Sequence, residues 1–193
     1  MRSGVCQSGN FLLCRFITAL GSYISVLRGL VFASQILFFM KSSKPSLLQR
    51  MNSAFLLAMH LGATSDDQLE RGAQGKPSLQ DDPPCFNLSH SGAVTVLAVS
   101  DAPVGVDLEH IADVRESVAR RFFPEAFRQE LDAAPEDQRP ETFFRLWTRL
   151  EAALKLDGRG LTAPRSEFGE ILERYDIQTE QRDDLIWSIA TEK

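Results

Sequence analysis

The chain has 193 residues, of which 44% are apolar and 24% charged, and its formal net charge at pH 7 is -5. This composition is typical of a folded globular protein with a sizeable core, and it excludes wholesale disorder. The three cysteines, Cys6, Cys14 and Cys85, show neither an even pairing nor metal-ligand spacing. We therefore expect a reduced compartment and a cytoplasmic location.

Charge is unevenly distributed along the sequence. The first 65 residues contain six Lys or Arg residues and no Asp or Glu, whereas the remainder carries a net charge of -11. The basic segment is compatible with apolar strands and a helix of the core, which we favour, with a basic arm for an acidic partner, or with a targeting segment. Residues 1–45 match no motif and are treated as an unplaced basic apolar segment.

The most apolar part of that segment does not favour a membrane span. Its two longest uncharged runs, 16–27 and 29–40, are twelve residues each and are separated by Arg28. A spanning helix needs about 20 apolar residues, and an arginine at its centre costs about 2.5–3.5 kcal/mol. We expect no membrane anchor and keep an Arg28-interrupted hydrophobic hairpin as a disfavoured alternative.

Elements of the first half follow from spacing and turn residues. Residues 46–61 place Leu and Met at helical spacing, which predicts a helix. The polar stretch 63–84 predicts a loop with at most one short strand. The β-branched apolar run 93–99 and the run 104–108, separated by a short Asp/Pro turn, predict two strands in an antiparallel hairpin.

The second half is mainly helical by pattern. Apolar residues three and four apart predict helices at 114–123, 124–133 and 141–156. Strand-like runs follow at 171–177 and 185–190. Because strands and helices are mixed rather than strictly alternating, the fold class predicted is α+β.

Two carboxylates lie close together in the run VGVDLE. Asp107 and Glu109 are two residues apart in a predicted strand, so both project from one face. Hard oxygen ligands of this kind suit Mg²⁺, which usually completes its shell with water and substrate phosphates. A solvated strand face is the alternative interpretation.

A second charged pair lies on the long predicted helix. Trp147, Glu151 and Lys155 are four residues apart and share one helical face. An exposed Glu–Lys ion pair is the commonest meaning of this spacing, but a tryptophan on the same stripe argues against full exposure. The alternative is that Glu151 is a third metal ligand or a base and that Lys155 contacts a phosphate.

The stretch FNLSHSG carries hydroxyls and an imidazole just before a strand. Ser89 and His90 are adjacent, so on an extended chain their side chains point apart and form a poor hydrolytic dyad. Contact with an anion or phosphate suits them better. Upstream, Lys76 adds a cation on a tight turn.

Taken together, these motifs resemble one family, the 4′-phosphopantetheinyl transferases of the surfactin-synthetase-activating type. The resemblance rests on GKP at 75–77, FNLSHSG at 86–92, VGVDLE at 104–109, and F-x-x-x-W-T-x-x-E-A-x-x-K followed by G-x-G-L at 143–161. It covers roughly residues 75–161 and is specific in the order and spacing of its motifs.

The resemblance implies an activity and an architecture. The family transfers the 4′-phosphopantetheine arm of coenzyme A to a serine of an acyl or peptidyl carrier protein and releases 3′,5′-ADP. It implies two similar α+β halves related by a pseudo-twofold, here 46–101 and 102–193, with coenzyme A and Mg²⁺ between them. A monomer is the simpler expectation, because one chain has room for both halves.

The resemblance also implies residue roles. Asp107, Glu109 and Glu151 stand at the metal positions, and Glu151 is the implied base, acting directly or through a metal-bound water. Lys155 would stabilise the pyrophosphate charge. The implied coenzyme A contacts are Arg50, Lys76, Ser89 and His90.

Two departures from the family pattern motivate an alternative. The family usually has Lys before the catalytic Glu, but Leu150 stands here, which predicts the loss of a phosphate-contacting cation. The N-terminal half is also divergent. The alternative is therefore an impaired relative that binds coenzyme A or a carrier protein without efficient transfer.

Partner surfaces are the least determined feature. Carrier proteins are typically acidic, so basic residues on the middle helices are candidates for docking, although a solvated helix face is slightly preferred. Nucleic acid is not expected, because the motif-bearing part is acidic. The docking candidates are Arg115, Arg120, Arg121 and Arg128.

Overall fold

The computed structural model describes residues 24–32, 35–42, 61, 69–71, 77–79 and 84–193. The helix predicted at 46–61 lies outside these residues apart from its last position. The predicted coenzyme A contacts Arg50 and Lys76 also lie outside them. No helix within the described ranges is long and apolar enough to cross a membrane.

The first sheet has four antiparallel strands in the order β1-β2-β6-β5. Two of these strands come from the segment that matched no motif. The four strands are β1 (Ile24–Phe32), β2 (Gln35–Ser42), β5 (Cys85–Ser91) and β6 (Val94–Ser100). Arg28 lies within β1, so the part of the basic segment that is described forms two strands. The helix that the favoured interpretation also expected lies outside the described residues, apart from its last position.

A separate pair of short strands lies between these elements. Strands β3 (Leu69–Arg71) and β4 (Pro77–Leu79) pair antiparallel. The stretch 63–84, predicted as a loop with at most one short strand, therefore contains two. The polar composition that suggested a loop is compatible with a two-stranded ladder, because short strands of this kind bury little side-chain surface.

The second sheet has three antiparallel strands in the order β7-β9-β8. They are β7 (Val104–His110), β8 (Tyr175–Arg182) and β9 (Leu185–Glu192). Strand β7 pairs with β9 from Val104 opposite Thr191 to His110 opposite Leu185. Because β7 has β9 on one side only, it is an edge strand of this sheet.

The predicted hairpin between residues 93–99 and 104–108 is wrong. Both runs are strands, but β6 pairs with β2 on one side and β5 on the other. A strand has only two hydrogen-bonding edges, so β7 cannot join it and starts the second sheet instead. Strand β6 forms its hairpin with β5 instead of β7. The two-residue turn between β5 and β6 begins at Gly92 with a φ of +55°, which glycine adopts without strain.

Four α-helices follow β7, and three of them confirm the predicted helices. They are α1 (Glu116–Phe122), α2 (Glu125–Ala133), α3 (Arg139–Asp157) and α4 (Phe168–Arg174). The long helix α3 ends at Gly158, whose left-handed conformation, with a φ of +86°, is a common helix terminator. The molecule is thus α+β with antiparallel sheets and packed helices, as predicted.

The strand predicted at 171–177 is wrong at its start. Residues 171–174 belong to α4, and β8 begins at Tyr175. Phe168 and Ile171 are three residues apart and fully buried, so their spacing is helical rather than alternating. The apolar run in the sequence was too short to distinguish the helical period of 3.6 residues from the strand period of two.

The two faces of β7 join the two parts of the core. Val104, Val106 and Leu108 pack with β6 and β9 in a cluster between the sheets. The odd-numbered residues of β7 face the opposite way, towards α3. Gly105 is the point of closest approach, because a Cβ there would lie 2.1 Å from the Ala152 carbonyl oxygen. Glycine therefore allows α3 to lie directly on the strand that carries Asp107 and Glu109.

Candidate active site

One cleft brings together most of the residues singled out from the sequence. Strand β5 contributes Ser89 and His90, β7 contributes Asp107 and Glu109, and α3 contributes Glu151 and Lys155. Ser89 and Lys155, which are 66 positions apart in the sequence, thus line one surface. The remaining lining residues are Leu88, Arg115 and Trp147.

Lys155 makes the closest ion pair of the cleft with Asp107. Its Nζ lies 2.7 Å from Asp107 Oδ1 and also donates to the Val106 carbonyl oxygen at 3.1 Å and to Ser89 Oγ at 3.0 Å. The pair forms between helix and strand rather than along one helix face, because Gly105 lets α3 lie against β7. A cation is thereby held against a buried carboxylate.

The Ser89 hydroxyl is at the centre of this contact. Its proton is donated to Asp107 Oδ1 at 2.9 Å, and its oxygen accepts from Lys155 and from the Leu108 backbone N–H at 3.3 Å. A hydroxyl has one proton and two lone pairs, so its capacity is used within the protein. The predicted contact of Ser89 with a phosphate stays a prediction, and its side chain is 6% exposed.

Ser91 repeats this arrangement two residues further along the strands. Its hydroxyl donates to Glu109 Oε2 at 2.8 Å and accepts from the His110 backbone N–H at 3.1 Å. Asn87 Oδ1 accepts from the Val106 N–H at 2.8 Å on the other side of Ser89. Alternate side chains of β5 therefore cover the open edge of β7.

Glu151 is half-buried opposite these carboxylates. Its pKa is raised from 4.5 to about 7, mainly by burial and then by the negative charges of Asp107 and Glu109, while Lys155 opposes the shift. A carboxyl group with a pKa near neutrality can accept and release a proton at physiological pH. This is the property that a general base needs.

The donor set suits a hard divalent cation. Asp107 Oδ2 is buried and has no hydrogen-bond partner among the residues described, which is costly unless a ligand satisfies it. Glu109 and Glu151 line the same cleft. In the part of the chain that is described, however, no three His, Cys, Asp or Glu side chains already form a metal-enclosing group. The residues fit a site completed by water and substrate phosphates.

Trp147 and Leu150 occupy different environments on α3. Trp147 is buried, stacks on Phe143 at 6.5 Å between ring centroids, and also lines the cleft. Leu150 is fully buried in the core cluster and is not among the cleft-lining residues. The leucine side chain therefore serves the core, and the predicted loss of a phosphate-contacting cation at this position stays a prediction.

The docking candidates on the middle helices divide into two groups. Arg115 lines the cleft, and its guanidinium lies 5.4 Å from the centre of the Phe144 ring. Arg120, Arg121 and Arg128 line a separate groove together with Arg165. The sequence did not distinguish these groups, because all four arginines were equally compatible with a solvated helix face.

Ser91, which contacts the cleft carboxylate Glu109, and Arg115, which lines the cleft, had not been assigned to the site from sequence. Ser91 carried a usable signal, since its spacing to Glu109 equals the spacing of Ser89 to Asp107. Arg115 carried none, because its position at the cleft depends on how α1 packs. Both are specific consequences of the tertiary structure.

Comparison with known proteins finds similarity to one family. Residues 103–187 match the model of the 4′-phosphopantetheinyl transferase superfamily. The chain is 42% identical over 100 residues to a 4′-phosphopantetheinyl transferase of Bacillus pumilus, covering 51% of this chain and 43% of the relative. It is 33% identical over 105 residues to the 4′-phosphopantetheinyl transferase Sfp of Bacillus subtilis strain 168, covering 54% and 47%. The resemblance inferred from the motifs is confirmed.

The extent of similarity differs between relatives. A putative 4′-phosphopantetheinyl transferase of Synechocystis sp. strain PCC 6803 is 30% identical over 155 residues, covering 76% of this chain and 63% of the relative. The chain spans about half the length of the Bacillus relatives that it matches. The matched family region includes β7, the four helices and most of the second sheet.

Proposed function

We propose that this chain, a member of the 4′-phosphopantetheinyl transferase superfamily through residues 103–187, transfers the 4′-phosphopantetheine arm of coenzyme A to a serine of an acyl or peptidyl carrier protein. The observation that carries the proposal is the convergence of three carboxylates and Lys155 in one cleft. The other product is 3′,5′-ADP.

The reaction exchanges one phosphoester bond for another. The serine oxygen of the carrier protein forms a bond to the phosphorus that bears pantetheine, and the bond from that phosphorus to the bridging oxygen of the pyrophosphate breaks. The serine proton is lost, and 3′,5′-ADP departs with the bridging oxygen. Such a transfer mainly needs positioning and charge stabilisation, so no covalent enzyme intermediate is required.

We assign the proton-accepting role to Glu151. Its raised pKa lets it take the serine proton near neutral pH, and it lines the same cleft as Asp107 and Lys155. Lys155 holds a positive charge beside the carboxylates and is the cation assigned to the developing charge on the leaving group.

Mg²⁺ is proposed as the metal, held by Asp107, Glu109 and Glu151. The unpartnered Asp107 Oδ2 and the all-oxygen donor set support this choice. When bound, the ion would supply charge neutralisation to the pyrophosphate. The three carboxylates would otherwise repel a phosphate-bearing substrate, so they require compensating positive charge.

Coenzyme A contacts are proposed for Arg50, Lys76, Ser89 and His90, as the resemblance implies. His90 is exposed and lines the cleft. We add Arg115, because a guanidinium oriented by an aromatic ring at the cleft rim is suited to bidentate contact with a phosphate. A monomer and a cytoplasmic location stay predictions.

The division into halves is also proposed. Residues 46–101 and 102–193 would form two similar halves related by a pseudo-twofold. The chain leaves one sheet at Ser100 and enters the other at Val104, which supports a boundary at this point. Residues 1–45 would then extend the first half, because β1 and β2 lie in its sheet.

An impaired relative is not favoured over an active transferase. Two departures motivated that alternative, at Leu150 and in the N-terminal half, and the Leu150 side chain packs in the core. The catalytic and metal candidates are all present in the cleft.

Intact-mass measurement of an apo carrier protein tests the proposal. Incubation with the full chain, coenzyme A and Mg²⁺ should add one phosphopantetheine, about 340 Da, and a chelator should prevent the gain. Glu151→Ala should abolish it, whereas Glu141→Ala, an exposed glutamate of the same helix, should not. Coenzyme A binding without any mass gain across acyl and peptidyl carrier proteins would contradict the proposal.

A further inference from the structure

The edge of β7 is closed by side chains rather than by another strand. Backbone N–H groups on the outer edge of an edge strand need partners when they are buried. Here the N–H groups of Val106, Leu108 and His110 find them in side-chain oxygens of β5. Three alternate residues of β5, namely Asn87, Ser89 and Ser91, supply those oxygens.

The two serines do more than close the edge. Asn87 could satisfy an N–H with its oxygen alone, but a serine hydroxyl that accepts also has a proton to donate. That proton goes to Asp107 from Ser89 and to Glu109 from Ser91. Each serine therefore contacts a carboxylate and the N–H of the next residue, in the same geometry two residues apart.

We infer that Ser91 is a positioning residue that holds Glu109 for a divalent cation, as Ser89 does for Asp107. This inference rests on the proposed function, which gives the two carboxylates a metal to bind. A hydrogen bond to Glu109 Oε2 fixes the side-chain rotamer and pre-organises the carboxylate. Without it, Glu109 would have to be ordered when the cation binds, and the affinity would fall by the free energy of that ordering.

The register of the two strands explains why the pattern is serine, any residue, serine. Side chains alternate along β5, so residues 89 and 91 point to the same side and His90 to the other. Asp107 and Glu109 alternate in the same way on β7. The spacing of the hydroxyls therefore matches the spacing of the carboxylates, and each serine reaches one of them.

Mn²⁺ binding to the full chain tests the inference without relying on turnover. Free Mn²⁺ is measured by electron paramagnetic resonance, with and without saturating coenzyme A, for the wild type, Ser91→Ala and Ser91→Thr. We expect Ser91→Ala to weaken Mn²⁺ binding about tenfold, as outer partners of metal ligands commonly do. Ser91→Thr keeps the hydroxyl and should restore binding to within about threefold of the wild type.

Ser100→Ala is the matched control. Ser100 is a buried serine on the neighbouring strand, and its hydroxyl accepts from the Ala102 backbone N–H, whereas that of Ser91 donates to Glu109. Ser100→Ala should leave Mn²⁺ binding unchanged while lowering the unfolding midpoint about as much as Ser91→Ala does. A merely structural Ser91 would behave like Ser100.

Each outcome decides the inference. Unchanged Mn²⁺ affinity in Ser91→Ala, equal weakening in Ser91→Ala and Ser91→Thr, or no Mn²⁺ uptake by the wild type in either condition would overturn it. A wild type that binds Mn²⁺ but modifies no carrier protein would reject the proposed function and leave the serine inference standing. The two failures are thus distinguishable.

Discussion

The Nζ atom of Lys155 lies 2.7 Å from Oδ1 of Asp107, linking the long helix to the edge strand of the second sheet. Asp107 is nearly inaccessible to solvent, and Ser89 contacts both partners. The pair is therefore part of the fold as well as of the site.

We expect the two residues to be energetically coupled. In a double-mutant cycle of Asp107→Asn and Lys155→Met, urea unfolding without divalent metal should give a coupling free energy of about 1–3 kcal/mol. Each single change leaves one charged partner less well compensated, so both should destabilise the fold. A coupling free energy near zero would show that the pair is incidental.

Gly105→Ala should be strongly destabilising. A Cβ at this position would lie 2.1 Å from the Ala152 carbonyl oxygen and 2.8 Å from the Leu156 backbone nitrogen, so α3 would have to move away. We expect a loss of about 3 kcal/mol or more in the free energy of unfolding, because the obstruction is backbone. Gly169→Ala is the control: it has open space, lies in a helix, and should be neutral or stabilise by up to about 1 kcal/mol. Equal effects of the two alanines would contradict the close-packing argument.

Leu150→Lys should damage the fold rather than improve coenzyme A binding. The leucine is fully buried in the core, so a lysine would bury a charge or force α3 to repack. We expect a loss of several kcal/mol, about the size seen for an uncompensated buried charge, measured by denaturant unfolding. Leu161→Lys at an exposed site, 38% accessible, is the matched control and should be nearly neutral. A stable Leu150→Lys variant with tighter coenzyme A binding would restore the cation interpretation.

Glu151 should make the metal-free protein less stable as pH rises. Its pKa is about 7 in the folded state against 4.5 for the ordinary group, so folding favours its protonated form. That contribution is fully present below about pH 4.5 and is lost as pH rises through about 7, amounting to roughly 3 kcal/mol. Glu151→Gln cannot ionise, so its free energy of unfolding should increase relative to that of the wild type by most of this amount between pH 5 and 8. A constant difference across that range would contradict the raised pKa.

The same group should set the acidic limb of the activity profile. The base must be ionised to accept the serine proton, so metal-dependent transfer should fall as pH decreases below the pKa of Glu151 in the complex. Bound metal favours the ionised form, so this limb should lie below the value of about 7 that applies without metal. Rates for the wild type measured between pH 5 and 9 check the direction.

Arg115→Ala should raise the Michaelis constant for coenzyme A. Loss of one charge-assisted contact to a phosphate costs about 1.5–3 kcal/mol, which corresponds to at least a tenfold change. Arg120→Ala removes an arginine of the other groove and is the control for general charge effects. If Arg115→Ala instead raises only the constant for the carrier protein, the arginine serves docking and not the phosphate.

Several features could be predicted from local pattern alone. Asp107 and Glu109 share a strand face because the side-chain period of a strand is two, and Glu151 and Lys155 share a helix face because of its 3.6-residue period. Phe143, Trp147, Leu150 and Leu154 also follow helical spacing, which marks a buried face. Because the family usually has a lysine at this position, Leu150 was interpreted as a missing cation, although its helical spacing already indicates a buried position.

The amino-acid sequence by itself determined the α+β class, three of the four helices that follow β7, and which residues carry the charged groups of the site, because these depend on periodicity and residue type within short windows. Only the tertiary structure decided that β7 joins β9 instead of β6, that Gly105 admits α3, and that Ser91 reaches Glu109. These are long-range choices. Strand partners depend on which hydrogen-bonding edges other strands have already used, and side-chain contacts depend on the resulting register, so neither can be read from residues that are neighbours along the chain.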